Sequence, residues 1–410
     1  MSESADQQAS TQPGAGTLLI DDVRLVDAER DIASGWVLAD ATGILDLGAG
    51  TVPEVPAGCQ RVAGAGRVLT PGLVDMHSHG AGGGSFDGGP EEVATALATT
   101  AAHGVTRSML SLVTSSADDI VETLQSIAAH ADKQASDAEA DSEDPAGAGI
   151  LGVHLEGPFI SPDKAGAHDV ALMQHPTPEL IDRFAEAGGG WLRYFTIAPE
   201  LPGALESISH AARQGIRMGV GHTVADYATT RAAFDAGATL LTHAFNAMPG
   251  IHHREPGPII AALDDERVTI ELILDGVHVV EPVAAHLWQA CRGRLALITD
   301  AMSAAGFGDG NYMLGKLAVA VENGVAHLTG TDTIAGSTLT LDDAVRRAVG
   351  LGVGLQEAIA AATSVPAASL GLADRYGTLT PGQAADFVLW GDDMSVTGVF
   401  RDGREMRSER

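Results

Sequence analysis

The pattern that most constrains the fold is a regular alternation of short apolar runs with Ala-rich amphipathic stretches, which begins after Pro71. Such alternation predicts parallel strands joined by crossover helices. The candidate strands are 73–76, 105–110, 150–155, 192–197, 216–221, 239–242, 269–274 and 295–299, and the clearest helical patterns cover 91–102, 120–129, 225–235 and 281–291. Eight strand-helix units predict an α/β fold of the closed (β/α)8 (TIM) barrel type. An open doubly wound sheet is less favoured, because no glycine-rich phosphate motif follows the first strand.

The two ends of the chain have a different pattern. Residues 17–68 contain short apolar runs broken by Gly, Asp and Pro, and the tail after Tyr376 returns to the same pattern. These features are typical of strands and turns. We therefore expect a small β-sandwich domain built from 17–70 and 376–410, with the barrel occupying 71–375. Residues 1–16 lack a basic or apolar leader, and we expect a disordered N-terminus without an export signal.

Composition narrows the class of partner. The 410 residues carry a formal net charge of -30, which disfavours nucleic acid and anionic membranes as partners. An anionic substrate therefore requires a local cluster of positive groups. Two distant cysteines, Cys59 and Cys291, suggest neither a disulfide framework nor a cysteine metal site, and we expect a reduced, cytoplasmic setting. The acidic, Ala/Ser-rich segment 131–149 is interpreted as an exposed, mobile loop.

Histidines and carboxylates occur at the carboxyl ends of the predicted barrel strands, where barrel enzymes place their catalytic side chains. The residues concerned are His77 and His79 after the first strand, Glu156 after the third, His222 after the fifth, His243 after the sixth and Asp300 after the eighth. Any one of them has an ordinary explanation, such as a core histidine, a salt-bridge partner or a helix cap. Their joint position favours a metal site instead, because imidazole and carboxylate are the usual ligands of Zn²⁺ and Fe²⁺.

The order of motifs then carries a family resemblance. HxH, HLEGPF, GHT, THAFNAMPGIHHREPG, DGVH, TDA and AGSTLT follow one another as in the N-acetylglucosamine-6-phosphate deacetylases of the amidohydrolase superfamily. HLEGPF and the stretch 242–257 are the specific parts, whereas HxH and TDA are shared across the superfamily. The resemblance implies a barrel with a small β-sandwich, a homodimer, and metal-dependent hydrolysis of an N-acetylated amino-sugar 6-phosphate.

The resemblance also implies a ligand set. It assigns Glu156, His222 and His243 to a primary metal site, and His77, His79 and Asp300 to a second site that shares Glu156. One or two ions of zinc or iron per subunit are compatible with this set. Superfamily members often place a carbamylated lysine after strand four, but the sequence there is TIAPE, so any bridging role falls to Glu156.

For catalysis, we expect Asp300 to be the general base, because a carboxylate beside a metal-bound water can reach both the water and the leaving amine; its alternative role is that of a ligand alone. By resemblance, His168 would polarise the amide carbonyl of the substrate, the alternative being an ordinary surface histidine. Ala167 is expected to contact the substrate. By resemblance, Ala335 and Gly336 belong to a loop on the sugar side of the site. The pair Gly336-Ser337 is also compatible with a helix N-cap.

Phosphate recognition is assigned to the densest positive cluster near a strand end. That cluster consists of His252, His253 and Arg254, and His278 follows strand seven, near which barrels often bind phosphate. By resemblance, the backbone N–H groups of Asn246 and Ala247 join them, and Arg254 acts from the neighbouring subunit. A solvated charge run is the alternative.

Two rival functions remain open from sequence. An N-acetylgalactosamine-6-phosphate deacetylase would share the same metal and phosphate residues. A catalytically inactive structural or regulatory relative would be expected to have lost ligands, and the sequence retains every one that the resemblance requires.

Overall fold

The computed structural model describes residues 16–139, 147–291 and 293–406, so the predicted disordered N-terminus lies outside the described residues apart from Gly16. Within the described part, eight parallel strands form one sheet in sequential order. In chain order these barrel strands one to eight are Leu73–Asp75, Val105–Leu112, Gly149–Glu156, Leu192–Ile197, Arg217–Val220, Leu240–Leu241, Thr269–Ile273 and Leu295–Ile298. The predicted strands are all present; the second and third are longer than predicted, the fourth has the predicted bounds, and the other five are shorter.

Backbone hydrogen bonds between the segments that follow strands one and eight close the sheet into a barrel. The N–H of Asp300 donates to the carbonyl of His77 (2.8 Å), and the N–H of His79 donates to the carbonyl of Ala301 (2.7 Å). Strands two and three are buried at every position, as expected for parallel strands covered by helices. The closed barrel is confirmed, and its seam lies among the predicted ligands.

Helices follow the strands and cover the outside of the barrel. They are Pro90–Ala102, Ala117–Glu139, Pro178–Ala187, Ala204–Arg213, Tyr227–Ala236, Gly257–Leu263, Glu281–Cys291, Leu341–Gly350, Leu355–Ala361 and Ser364–Ser369. No helix in the described part of the chain is long and apolar enough to cross a bilayer.

The interpretation of 131–149 as an exposed loop was wrong at both ends of the segment. The helix that begins at Ala117 continues to Glu139, and Ala131 on it is 1% exposed. The Gln134 side chain explains the longer helix, because it donates to the carbonyl of Ala148 (3.1 Å) and accepts from the N–H of Ile150 (2.8 Å). Residues 140–146 lie outside the described range.

The two chain ends form a separate eight-stranded sheet. Its strands are Leu18–Val26, Asp31–Asp40, Gly43–Ala49, Gln60–Ala63, Val68–Pro71, Phe387–Trp390, Val396–Arg401 and Arg404–Glu405. Val68–Pro71 pairs antiparallel with Phe387–Trp390, which joins the N-terminal strands to the tail as predicted. The division of the chain at 70/71 and 375/376 stays a prediction.

A three-stranded antiparallel sheet between barrel strand eight and the helix Leu341–Gly350 was not predicted. It comprises Gly310–Leu314, Leu317–Glu322 and Val325–Leu328. The hairpin between its last two strands turns at Asn323 and Gly324, both at positive φ (54° and 74°). Asn-Gly between alternating apolar residues is a strong hairpin signal, so the sequence did contain the information.

Arg107 on barrel strand two connects the barrel to the terminal sheet. Its Nε donates to Asp386 Oδ2 (2.6 Å) and its guanidinium also bonds Asp402, both carboxylates lying in the tail segment. We expect Arg107→Ala to lower the free energy of unfolding by about 3–5 kcal/mol, because it leaves the 6%-exposed Asp386 without its cation. Denaturant unfolding measures this value. Arg24→Ala, which breaks an exposed pair with Asp31, is the control, and a loss as large as that of Arg107→Ala would contradict the argument.

Candidate metal centre and active site

The ends of five barrel strands bring the predicted ligands into two adjoining groups, all of them buried. The first group consists of His77, His79, Glu156 and Asp300. The second group consists of Glu156, His222 and His243. In each group one ligand atom per residue lies within 4.8 Å of the others. The residues assigned separately from the sequence therefore converge on one place.

Glu156 lies between the two groups. Its Oε1 is 2.8 Å from His243 Nε2 and 3.1 Å from His222 Nε2. Its Oε2 is 3.1 Å from His79 Nε2. A single carboxylate thus faces ligands of both groups, which is the arrangement that the proposed bridging role requires.

The histidine tautomers favour a cation at this place. His222 Nδ1 donates to the carbonyl of Lys164 (2.8 Å), so in the neutral ring the lone pair is on Nε2. That atom lies 3.1 Å from Nε2 of His243 and beside Glu156 Oε1. Lone pairs and a carboxylate oxygen repel one another at such distances unless positive charge lies between them. The donor set therefore fits a divalent ion of the zinc or iron class.

Three of the six ligand residues have left-handed backbone conformations. The φ angles of His222, His243 and Asp300 are 46°, 28° and 48°. Positive φ is uncommon for residues other than glycine. Each of the three follows the end of its strand, where this conformation turns the chain.

Opposite charges balance one another around Asp300. Burial raises the pKa of its carboxyl, but His77 and His79 outweigh burial and lower that pKa to about 2. Burial lowers the pKa of His79, and its contacts with Asp300 and Glu156 raise it to about 9. The pocket therefore stabilises positive charge next to its carboxylates.

His168 is a neutral N–H donor at this site. It is 7% exposed, so the alternative of a surface histidine was wrong. Burial lowers its pKa to about 4, although Glu156 opposes the shift. Nδ1 accepts the N–H of Thr114 (3.1 Å), which places the proton on Nε2, 3.4 Å from Glu156 Oε2. A donor so held can polarise a carbonyl group.

A cavity of about 410 Å³ opens above these groups. Among the predicted substrate residues, those that line it are Ala167, Asn246, Ala247, His278 and Gly336. Ala335 is fully buried next to Gly336 and does not line the cavity. His252, His253 and Arg254 are exposed and lie outside the cavity lining of this chain.

Two predicted anion contacts have partners within the chain. The N–H of Asn246 donates to the carbonyl of His243 (3.0 Å), so it is already engaged in a turn. His278 Nδ1 donates to Asp275 Oδ2 (2.7 Å). Burial lowers the pKa of His278, but the contact with Asp275 outweighs burial and raises that pKa, which favours the protonated form of the ring.

The Gly-Ser of the sugar-side loop is not a helix cap. The N-cap of Leu341–Gly350 is Thr340. Ser337 Oγ instead donates to the carbonyl of Thr299 (2.5 Å), and its N–H donates to the carbonyl of Asp300 (2.7 Å). The loop is therefore fixed to the end of barrel strand eight.

Sequence reasoning missed two residues at the site. Lys164 lines the cavity, and its carbonyl orients His222. Glu271 on strand seven is fully buried, and its Oε2 lies 3.1 Å from His77 Nδ1. The available signal was the single charged residue in the strand TIELI.

Comparison with known proteins identifies the family of the chain. The amidohydrolase family model matches residues 68–406. N-acetylgalactosamine-6-phosphate deacetylase of Escherichia coli O157:H7 is 38% identical over 340 residues, covering 82% of this chain and 87% of that protein. N-acetylglucosamine-6-phosphate deacetylase of Bacillus subtilis is 35% identical over 390 residues, covering 93% and 95%.

A solved structure of a deacetylase matches nearly the whole chain. It is a mutant N-acetyl-D-glucosamine-6-phosphate deacetylase from Mycobacterium smegmatis in complex with N-acetyl-D-glucosamine-6-phosphate. The TM-score is 0.86 at 40% identity, and the match covers 95% of this chain and 98% of that one. The chain therefore belongs to the amidohydrolase family, among the amino-sugar 6-phosphate deacetylases.

Proposed function

We propose that this protein hydrolyses the acetamide of N-acetyl-D-glucosamine 6-phosphate to D-glucosamine 6-phosphate and acetate, in cytoplasmic amino-sugar metabolism. The observation that carries the proposal is the pair of ligand groups sharing Glu156, with the neutral donor His168 beside them in one cavity. The relatives from Bacillus subtilis and Mycobacterium smegmatis support the gluco substrate by their names.

The ligands divide between two cation positions. Glu156, His222 and His243 would hold the primary ion, and His77, His79 and Asp300 would complete a second position that shares Glu156. Zinc is our first choice and iron our second, because the donors are imidazoles and carboxylates. A bound divalent ion supplies Lewis acidity, which lowers the pKa of a coordinated water from about 15.7 towards about 7.

The side chains divide the proton transfers between them. Asp300 accepts a proton from the water as the water oxygen adds to the acetamide carbon, and it then returns this proton to the nitrogen as the C–N bond breaks. His168 Nε2–H donates to the acetamide oxygen, where negative charge develops as water adds. Burial of both side chains keeps bulk water away from these transfers.

Phosphate binding needs more positive charge than the cavity of one chain offers. Lys164 and His278 line the cavity, but Asp163 and Asp332 line it too. Arg254 lies outside it, beside Ile251, a large apolar residue that is 52% exposed. We therefore propose a homodimer in which Arg254 of the partner subunit, with His252 and His253 next to it, completes the phosphate site.

Arg254→Ala should reduce kcat/KM for the phosphorylated sugar about ten- to a hundred-fold or more, because a charge-assisted hydrogen bond contributes roughly 1.5–3 kcal/mol. Unphosphorylated substrate should be affected little. Steady-state kinetics on both substrates measures the difference. Arg213→Ala, an exposed arginine on the helix Ala204–Arg213, is the control.

Mixed dimers test whether Arg254 acts across the interface. In a heterodimer of Arg254→Ala with Asp300→Asn, an arginine acting in trans leaves one site with both an intact aspartate and an intact arginine. Activity should then reappear. A verified heterodimer without recovery would show that Arg254 serves its own subunit.

Acetate release from three compounds tests the function itself. The compounds are the 6-phosphates of N-acetylglucosamine and N-acetylgalactosamine and unphosphorylated N-acetylglucosamine, assayed with protein of measured metal content. The Escherichia coli relative makes the galacto epimer the second candidate. Faster release from that epimer would replace our assignment, and no release from any of the three would favour an inactive relative.

A further inference from the structure

Glu271 is a buried carboxylate that contacts two ligand residues without belonging to either ligand group. It lies on barrel strand seven and is fully buried. Its Oε2 accepts from His77 Nδ1 (3.1 Å) and from the backbone N–H of His243 (3.2 Å). It therefore connects the strand-one ligand to the strand-six ligand. A polar side chain is costly to bury without hydrogen bonds, so these two contacts help to keep Glu271 in place.

The bond to Glu271 determines which nitrogen of His77 faces the site. With the proton on Nδ1, Nε2 carries the lone pair and points towards Glu156 Oε1 (3.6 Å) and Asp300 Oδ1 (3.5 Å). Nε2 has no hydrogen-bond partner among the described residues although it is buried. A buried lone pair directed at two carboxylates is suited to a cation.

One histidine of each cation position has a hydrogen-bond partner behind its ring, and the two partners differ. His222 is oriented by a neutral carbonyl, that of Lys164, whereas His77 is oriented by a carboxylate. A carboxylate behind an imidazole makes the ring a more basic ligand and fixes its orientation. The charge of Glu271 should therefore matter to the position that contains His77.

We propose that Glu271 is a positioning residue for the second cation position, acting through His77, and that it lets this protein hold two ions. This inference rests on the metal centre of the proposed function. Its contact with the His243 backbone does not involve the imidazole of that ligand. Loss of the carboxylate should weaken the second ion and leave the first.

Glu271→Gln tests the proposal by metal binding, independently of turnover. The metal-stripped full-length chain is titrated with Zn²⁺ against a chromogenic chelator. We expect two ions in the wild type, and in the variant an unchanged first ion with about ten- to a hundred-fold weaker binding of the second. Glu322→Gln, the same change at an exposed position of the three-stranded sheet, should match the wild type.

Two further variants separate positioning from general damage to the fold. Glu271→Asp keeps the charge but retracts it from His77, so its second-ion affinity should fall between those of the wild type and Glu271→Gln. In a His77→Ala background, Glu271→Gln should change nothing more, because the residue through which it acts is absent.

The outcomes distinguish this inference from the function on which it rests. A wild-type chain that binds no ion removes the metal centre and the inference together. A wild-type chain with a single ion, equal weakening of both ions in Glu271→Gln, or an additional effect in the His77→Ala background overturns the role of Glu271 and leaves the deacetylase proposal standing.

Discussion

Asp300→Asn is expected to lower kcat by about two to four orders of magnitude, the usual range for loss of a positioned acid-base group. The amide keeps the size of the side chain but cannot take the proton of the attacking water. The primary ion should remain bound, because its proposed ligands Glu156, His222 and His243 are unchanged.

Turnover and metal content must be measured on the same preparation of this variant. Asp118→Asn is the control, because it is the same substitution at a side chain that is 88% exposed. Near-normal turnover of metal-loaded Asp300→Asn would reject Asp300 as the base and leave it as a ligand alone.

Replacement of His222 or His243 by alanine should abolish bound metal and activity together. Each offers its Nε2 within 3.1 Å of Glu156 Oε1, and removal of either leaves too few donors for the primary ion. The double variant of His77 and His79 should by contrast retain at least one ion. Elemental analysis with acetate release measures both properties.

His210→Ala is the control for a lost histidine, because His210 pairs with Asp182 on the outside of the barrel. A double variant of His77 and His79 that carries no metal would reverse the assignment of the two positions. Retention of the ion in His222→Ala would remove that residue from the primary ligands.

The barrel and the clustering of the predicted ligands could be predicted because both depend on local patterns. Parallel strands covered by helices are apolar along their length, so they stand out in the sequence, and the polar residues that end them converge in space. The terminal sheet was predictable from its turn residues. The longer helix was not, because it depends on the contacts of Gln134 with Ala148 and Ile150, 14 and 16 positions away.

Residues that support the ligands were harder to find than the ligands. Glu271 occupies a position in strand seven that no spacing rule distinguishes, and its role depends on a contact with His77, 194 positions away. Lys164 acts on His222 through its carbonyl, which every residue has. Arg254 is exposed and lies outside the cavity lining of this chain, so the phosphate role proposed for it requires the proposed partner subunit.

The positive φ angles of His222, His243 and Asp300 have an evolutionary consequence. A non-glycine residue in this conformation costs of order 1–3 kcal/mol, a cost that glycine would largely avoid. Selection for stability alone would therefore favour glycine at all three positions, and only selection for the chemistry keeps the side chains. In homologues that are no longer selected for catalysis, these three residues should be among the first to be replaced. Glycine at these positions would therefore indicate a homologue without catalytic activity.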